Sequence, residues 1–326
     1  MAQIDQLFRV LKEQGGSDLH LLAGRPPRIR LHGSLTDVEG WQALSDGQVR
    51  DLLREIASPD QWQQYEQSGD LDFAYALDGV ARFRVNFLRQ LQGAAAVFRI
   101  IPETILSFDD LGVPDSVREL AHLERGLVLV TGPTGSGKST TLAAILNEIN
   151  ETYPRHIVTI EDPVEFVHPN KRSVVSQREV HADTHSFSDA LKAAVRQDAD
   201  VILVGEMRDL ETIELAITAA EMGTLVFGTL HTNSAMKTID RLVDAFPASQ
   251  QTQVRNTLAD SIVAIVSQQL LPRTDQEGRC AAHEILLRTN SLANLIREGN
   301  TSQLVSLIQA GRGRGMCLMD DSLEDL

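Results

Sequence analysis

Leu127-Val128-Leu129-Val130-Thr131 runs directly into Gly132-Pro133-Thr134-Gly135-Ser136-Gly137-Lys138-Ser139, followed by Thr140 and a helix-forming stretch that reaches Asn150. A short run of Val and Leu with no polar interruption suits a strand buried on both faces of a parallel sheet. The eight residues after it match the phosphate-loop pattern in full, and the flanking strand and helix are the context that pattern requires. The residue types follow from the chemistry. Glycines let backbone N–H groups turn inward and approach phosphate oxygens, and the N-terminus of the following helix adds partial positive charge. Lys138 is expected to bridge the β- and γ-phosphates, and the Ser139 hydroxyl to ligate Mg²⁺. Gly132 to Thr140 is therefore the expected ATP-binding stretch.

The pattern repeats outward from this point. Ile157–Ile160, Val201–Val204 and Leu225–Leu230 are further short apolar runs, and helical candidates lie between them at Phe187–Arg196, Leu210–Glu221 and Ala235–Ala245. Strands alternating with helices predict an α/β domain with a largely parallel sheet. Residues 250–311 read as mainly helical, with Ile262–Leu271 and Leu292–Ile296 as apolar segments. The first hundred residues differ. They read as a mixed unit with a helix at Ile4–Gln14, two helices across Ser45–Gln67 broken at Ser58-Pro59, and strands at Leu71–Leu77, Ala81–Leu88 and Ala94–Ile100. This divides the chain into a domain over 1–100, a linker over 101–115 containing Pro102 and Pro114, and a second domain over 116–326.

In a parallel α/β sheet the strand C-termini open on one edge. Glu161 and Asp162 end one apolar strand, Glu206 follows another, and His231 follows a third. The three carboxylates are candidates for holding Mg²⁺-bound water or orienting the attacking water. His231 either contacts the γ-phosphate or is a structural histidine. Arg82 and Arg84, two apart on a strand, face one side of it. They are either a solvated strand face or the arginines that neutralise charge developing in phosphoryl transfer. His181 and His185 flank Asp183 in a polar loop with no third ligand in register, which is poor support for a metal site.

Composition narrows the class. The 326 residues are 42% hydrophobic and 23% charged, as in a globular protein. No apolar run reaches the roughly 18 residues of a spanning helix, and the first residues lack the pattern of a secretory signal. A cytoplasmic protein is the expectation. The net charge is −15, with 11 basic and 13 acidic residues in 1–100, so most of the acidic excess lies in residues 101–326. Such a balance argues against nucleic-acid binding by bulk charge. Two cysteines, Cys280 and Cys317, cannot form a four-cysteine zinc element.

Several blocks in order resemble the secretion-superfamily ATPases, and within them the type IV pilus retraction type. They are Gly16-Ser-Asp-Leu-His-Leu21, Gly79-Val-Ala-Arg-Phe-Arg-Val-Asn86, the phosphate loop, Thr159-Ile-Glu-Asp-Pro-Val-Glu165, Val201-Ile-Leu-Val-Gly-Glu-Met-Arg-Asp209 and Gly228-Thr-Leu-His-Thr232. The resemblance implies a PAS-like N-terminal domain and a RecA-like ATPase core, assembled as a homohexamer with nucleotide between the domains. It implies Glu206 as the glutamate that activates water, Glu161 as the acid supporting Mg²⁺, and His231 as a γ-phosphate contact. It also implies Arg82 and Arg84 as arginines that approach the phosphates, in place of the solvated face. The implied activity is ATP hydrolysis driving pilus retraction and twitching motility at the cytoplasmic face of the inner membrane. The implied partners are a membrane platform protein and a paralogous motor subunit, with no nucleic acid. A pilus-assembly or type II secretion ATPase, or a non-hydrolysing accessory subunit, are the alternative readings; the missing cysteine cluster speaks against the first. Asn290-Ser-Leu-Ala-Asn-Leu-Ile-Arg-Glu298 resembles the retraction type in its second half. Asp198-Ala-Asp200 departs from the usual Asp-Pro-Asp, and the terminal helix is expected to be short.

Overall fold

The computed structural model describes residues 2–102, 104–274 and 278–326. The chain divides into two compact units, Met1–Thr104 and Ile105–Leu326.

The first unit is built on a six-stranded antiparallel sheet. Its strands are β1 (Asp18–Leu22), β2 (Arg28–Leu31), β3 (Ser34–Asp37), β4 (Asp70–Leu77), β5 (Ala81–Gln90) and β6 (Gly93–Ile101). They lie in the order β3-β2-β1-β6-β5-β4. Strict alternation along β5 buries Phe83, Val85 and Phe87 and turns Arg82, Arg84 and Asn86 to the other face. The buried face packs on the helix Ile4–Glu13, where Phe8 stacks on Phe83 at 4.3 Å and meets Phe98 edge-on at 5.1 Å. The helix break read at Ser58-Pro59 is a capping box. Ser58 caps the helix Pro59–Ser68 with its side chain, Gln61 returns the bond, and Pro59 occupies the first turn.

The second unit is a seven-stranded sheet in the order β13-β12-β7-β11-β10-β8-β9. Its strands are β7 (Gly126–Thr131), β8 (His156–Glu161), β9 (Val174–Glu179), β10 (Val201–Val204), β11 (Leu225–Leu230), β12 (Ile262–Pro272) and β13 (Arg279–Leu287). All neighbours are parallel except β12 and β13, which form an antiparallel pair. The apolar runs serve two cores at once, as their unbroken hydrophobicity requires. Val128 and Val130 join Leu142, Ile145 and Ile149 of the helix Lys138–Thr152. Leu127 and Leu129 join the opposite layer, with Ile213 and Ile217 of the helix Leu210–Glu221.

One reading of the sequence is corrected. The stretch 250–311 is not mainly helical: after the helix Gln251–Ser261, the segment from Ile262 is β12 and Arg279–Leu287 is β13. An apolar run buried on both sides carries no period, so its β-branched Ile262, Val263, Ile265 and Val266 were the better guide. The polar strands β3 and β9 gave no apolar signal, and both lie at sheet edges. The stretch 101–115 contains a helical turn, Phe108–Leu111, capped by Ser107. The terminal helix Met319–Glu324 is short. Among the described residues, no helix is long and apolar enough to cross a membrane.

Candidate active site

The phosphate loop leaves β7 at Thr131 and enters the helix Lys138–Thr152. Three of its glycines hold left-handed backbone, with φ of 144° at Gly132, 78° at Gly135 and 87° at Gly137, which side chains disfavour. Pro133, Thr134 and Gly135 form the exposed tip, while Ser136 and Lys138 are buried. The Lys138 ammonium donates back to the Gly132 carbonyl at 2.8 Å and the Pro133 carbonyl at 3.1 Å. Burial lowers its pKa, and the nearby Glu206 and Glu165 carboxylates oppose that fall. Ser139 and Thr140 follow as half-buried residues of the helix.

The register of the sheet places the remaining candidates at the same edge. Leu230 pairs with Thr131, and Val204 pairs with Gly228 on one side and Ile160 on the other. His231, Glu206 and Glu161 therefore emerge beside the phosphate loop. Backbone bonds fix the exit from β10: the Gly205 N–H donates to Ile160 O at 2.8 Å and the Met207 N–H to Thr229 O at 3.0 Å. A Cβ at Gly205 would sit 3.0 Å from the Ile160 carbonyl oxygen, which keeps this turn close to β8. Ser139, Glu161, Asp162, Glu165, Glu206 and Arg208 line one open cleft of about 610 Å³. His168 also borders it, and burial pushes its pKa down to about 4, so it is neutral near pH 7.

The carboxylates differ. Glu206 Oε1 lies 3.1 Å from His231 Nε2 and is ion-paired with Arg208 Nε. Burial would raise the Glu206 pKa, but the Arg208 guanidinium and His231 outweigh it and hold the carboxyl below its ordinary value. Glu161 has its oxygens engaged by protein donors: the Thr159 hydroxyl at 2.7 Å, Gln177 Nε2 at 3.3 Å and the Glu165 N–H at 3.3 Å. Burial nevertheless raises its pKa. Asp162, exposed, precedes Pro163 through a cis peptide bond.

Sequence reasoning assigned no role to Arg208, although it stands two residues from Glu206 in a quoted block. It also missed Gln268, because its strand was read as helix. Arg82 and Arg84 belong to the first unit, on the outward face of β5; Arg84 is exposed and sits opposite Arg99 of β6. Arg99 is tied to the buried Asp18 at 2.8 Å.

A phosphate loop at the end of one strand, with a carboxylate held below its ordinary pKa at the end of another two strands away, places the chain among the phosphate-loop nucleoside triphosphatases. Its family is the one described as Type II/IV secretion system protein, which matches residues 13–316, and the chain belongs to it. The type IV pilus retraction ATPase PilT of Pseudomonas aeruginosa is 51% identical over 323 residues, covering 99% of this chain and 93% of that protein. A twitching motility protein of Neisseria gonorrhoeae is 52% identical over 300 residues, covering 92% of this chain and 80% of its own length. Among solved structures, the crystal structure of the pilus retraction motor PilT with bound ADP matches with a TM-score of 0.88 at 45% identity, covering 98% of this chain and 96% of that one.

Proposed function

We propose that this protein is an ATP-hydrolysing motor for type IV pilus retraction, the movement behind twitching motility. One observation carries the reading: a chain that aligns over 99% of its length with a retraction ATPase also holds Lys138 and Glu206 at one edge of its parallel sheet. In this reading the first unit is PAS-like and the second RecA-like. Six copies form a ring at the cytoplasmic face of the inner membrane, acting on a membrane platform protein alongside a paralogous motor subunit.

The residues perform hydrolysis as follows. The phosphate-loop amides bind the phosphates of ATP, and the Lys138 ammonium exchanges the Gly132 and Pro133 carbonyls for phosphate oxygens. Glu206 accepts a proton from the attacking water as its oxygen bonds to the γ-phosphorus and the bond to the β-γ bridging oxygen breaks, giving ADP and phosphate. In this reading His231, 3.1 Å from Glu206, contacts the γ-phosphate. Mg²⁺ fits this donor set. Ser139, Glu161 and Asp162 line the cleft with oxygen donors, and Mg²⁺ bound to a nucleotide keeps several waters and takes only one or two protein ligands. Ser139, with Glu161 and Asp162 partly through water, would hold it. When bound, the ion neutralises charge on the β- and γ-phosphates.

Arg82 and Arg84 supply positive charge to the phosphates in the transition state. Arg84→Ala is therefore expected to lower kcat by about one to two orders of magnitude while changing the Kd for ATP by less than about threefold. Steady-state hydrolysis and equilibrium binding on the purified full chain test this, and equal losses in both would remove Arg84 from the transition state.

A further inference from the structure

Beneath the phosphate loop lies Gln268 of β12, which is 3% exposed. Its Nε2 donates to the Ser136 carbonyl at 2.8 Å, and its Oε1 accepts from the Thr141 hydroxyl at 2.9 Å. One side chain thus joins the loop to the first turn of the helix after it. Beside it, the Ser267 and Thr131 hydroxyls meet at 2.8 Å and pin β12 to the end of β7. Two loop glycines answer to the same residue. A Cβ at Gly132 would collide with the Gln268 carbonyl oxygen, and one at Gly137 would lie 2.7 Å from Gln268 Nε2 and 3.3 Å from Leu270 Cδ1. The loop rests directly on Gln268.

This contact orients a peptide plane. The Ser136 carbonyl and the Gly137 N–H belong to one trans peptide unit and point in opposite directions. Holding that carbonyl down on Gln268 aims the Gly137 N–H away from β12, into the loop. Gly137, with φ of 87°, has the freedom to accept this orientation.

We propose that Gln268 is a positioning residue for the β- and γ-phosphates: it fixes the Ser136–Gly137 peptide so that its N–H faces the nucleotide. The inference rests on the nucleotide-binding reading of the loop. Because the loop grips phosphates beyond the first, losing this orientation penalises ADP and ATP while leaving AMP nearly untouched.

The test uses the full chain, with titration calorimetry against ADP and AMP. Gln268→Glu keeps the volume and the acceptor for Thr141 but removes the donor to Ser136. It is expected to weaken ADP at least about tenfold and AMP less than about threefold. An ADP affinity within threefold of wild type, or equal losses for ADP and AMP, would overturn the proposal; equal losses are what a merely structural role produces. Thr141→Val removes only the hydroxyl that steadies Gln268. It is expected to weaken ADP about threefold with AMP unchanged, and an unchanged ADP affinity there counts against the proposal even if Gln268→Glu fails to fold. The wild-type titration separates the two ideas. Wild-type protein that does not prefer ADP over AMP contradicts the nucleotide reading itself, whereas an ADP-over-AMP preference of undiminished size in both variants contradicts only the role of Gln268.

Discussion

Glu206→Gln is expected to bind ATP with near wild-type affinity and to lower turnover by at least about a hundredfold. Glutamine keeps the shape of the side chain and its contact with His231 but cannot accept a proton from water. The site is arranged to keep this carboxylate charged. Burial works against ionisation, yet Arg208 and His231 prevail and the folded-state pKa falls below the ordinary glutamate value. A depressed carboxylate contributes stability above its unfolded pKa and loses it as pH falls through the lowered folded value. On the proposed role as base, the charge remains available over that range, so turnover is not expected to fall near neutral pH through loss of Glu206 ionisation. Nucleotide binding by fluorescence and phosphate release, measured on the same preparation, check the prediction. Undiminished hydrolysis in the variant would remove Glu206 as the base.

Lys138→Ala is expected to fail earlier, at binding. The ammonium is the one cation placed by the phosphate loop itself, and it already spans two loop carbonyls. Charge-assisted bonds to phosphate are strong, and losing the one proposed to bridge two phosphates should weaken ATP by at least about a hundredfold, or ~3 kcal/mol. Turnover then disappears with binding, which distinguishes this variant from Glu206→Gln. Calorimetry against ADP and ATP measures it, and an affinity within tenfold of wild type would show that the backbone cradle suffices.

Much of this candidate site was legible in the order of residues. A phosphate loop needs particular residue types at fixed spacing, so Gly132 to Ser139 announced itself. The carboxylates Glu161 and Glu206 were legible because a buried parallel strand that ends in an acid has only one edge on which to display it. What stayed hidden was lateral. Nothing in the order of residues says that β12 lies against β7, since that neighbour arrives more than a hundred residues later in the chain. Gln268 was therefore invisible as the floor of the loop, and its strand was mistaken for helix. Arg208 was visible as a residue but not as a partner, because its pairing with Glu206 depends on how the chain turns after β10. The outward face of β5 was readable from its alternation alone, yet two readings of Arg82 and Arg84 stayed open until the family blocks favoured one.

The most direct test of the central claim is to delete the gene and count surface pili by electron microscopy alongside twitching. Retraction predicts cells that carry excess pili and no longer twitch. Cells without pili would contradict it and point to assembly.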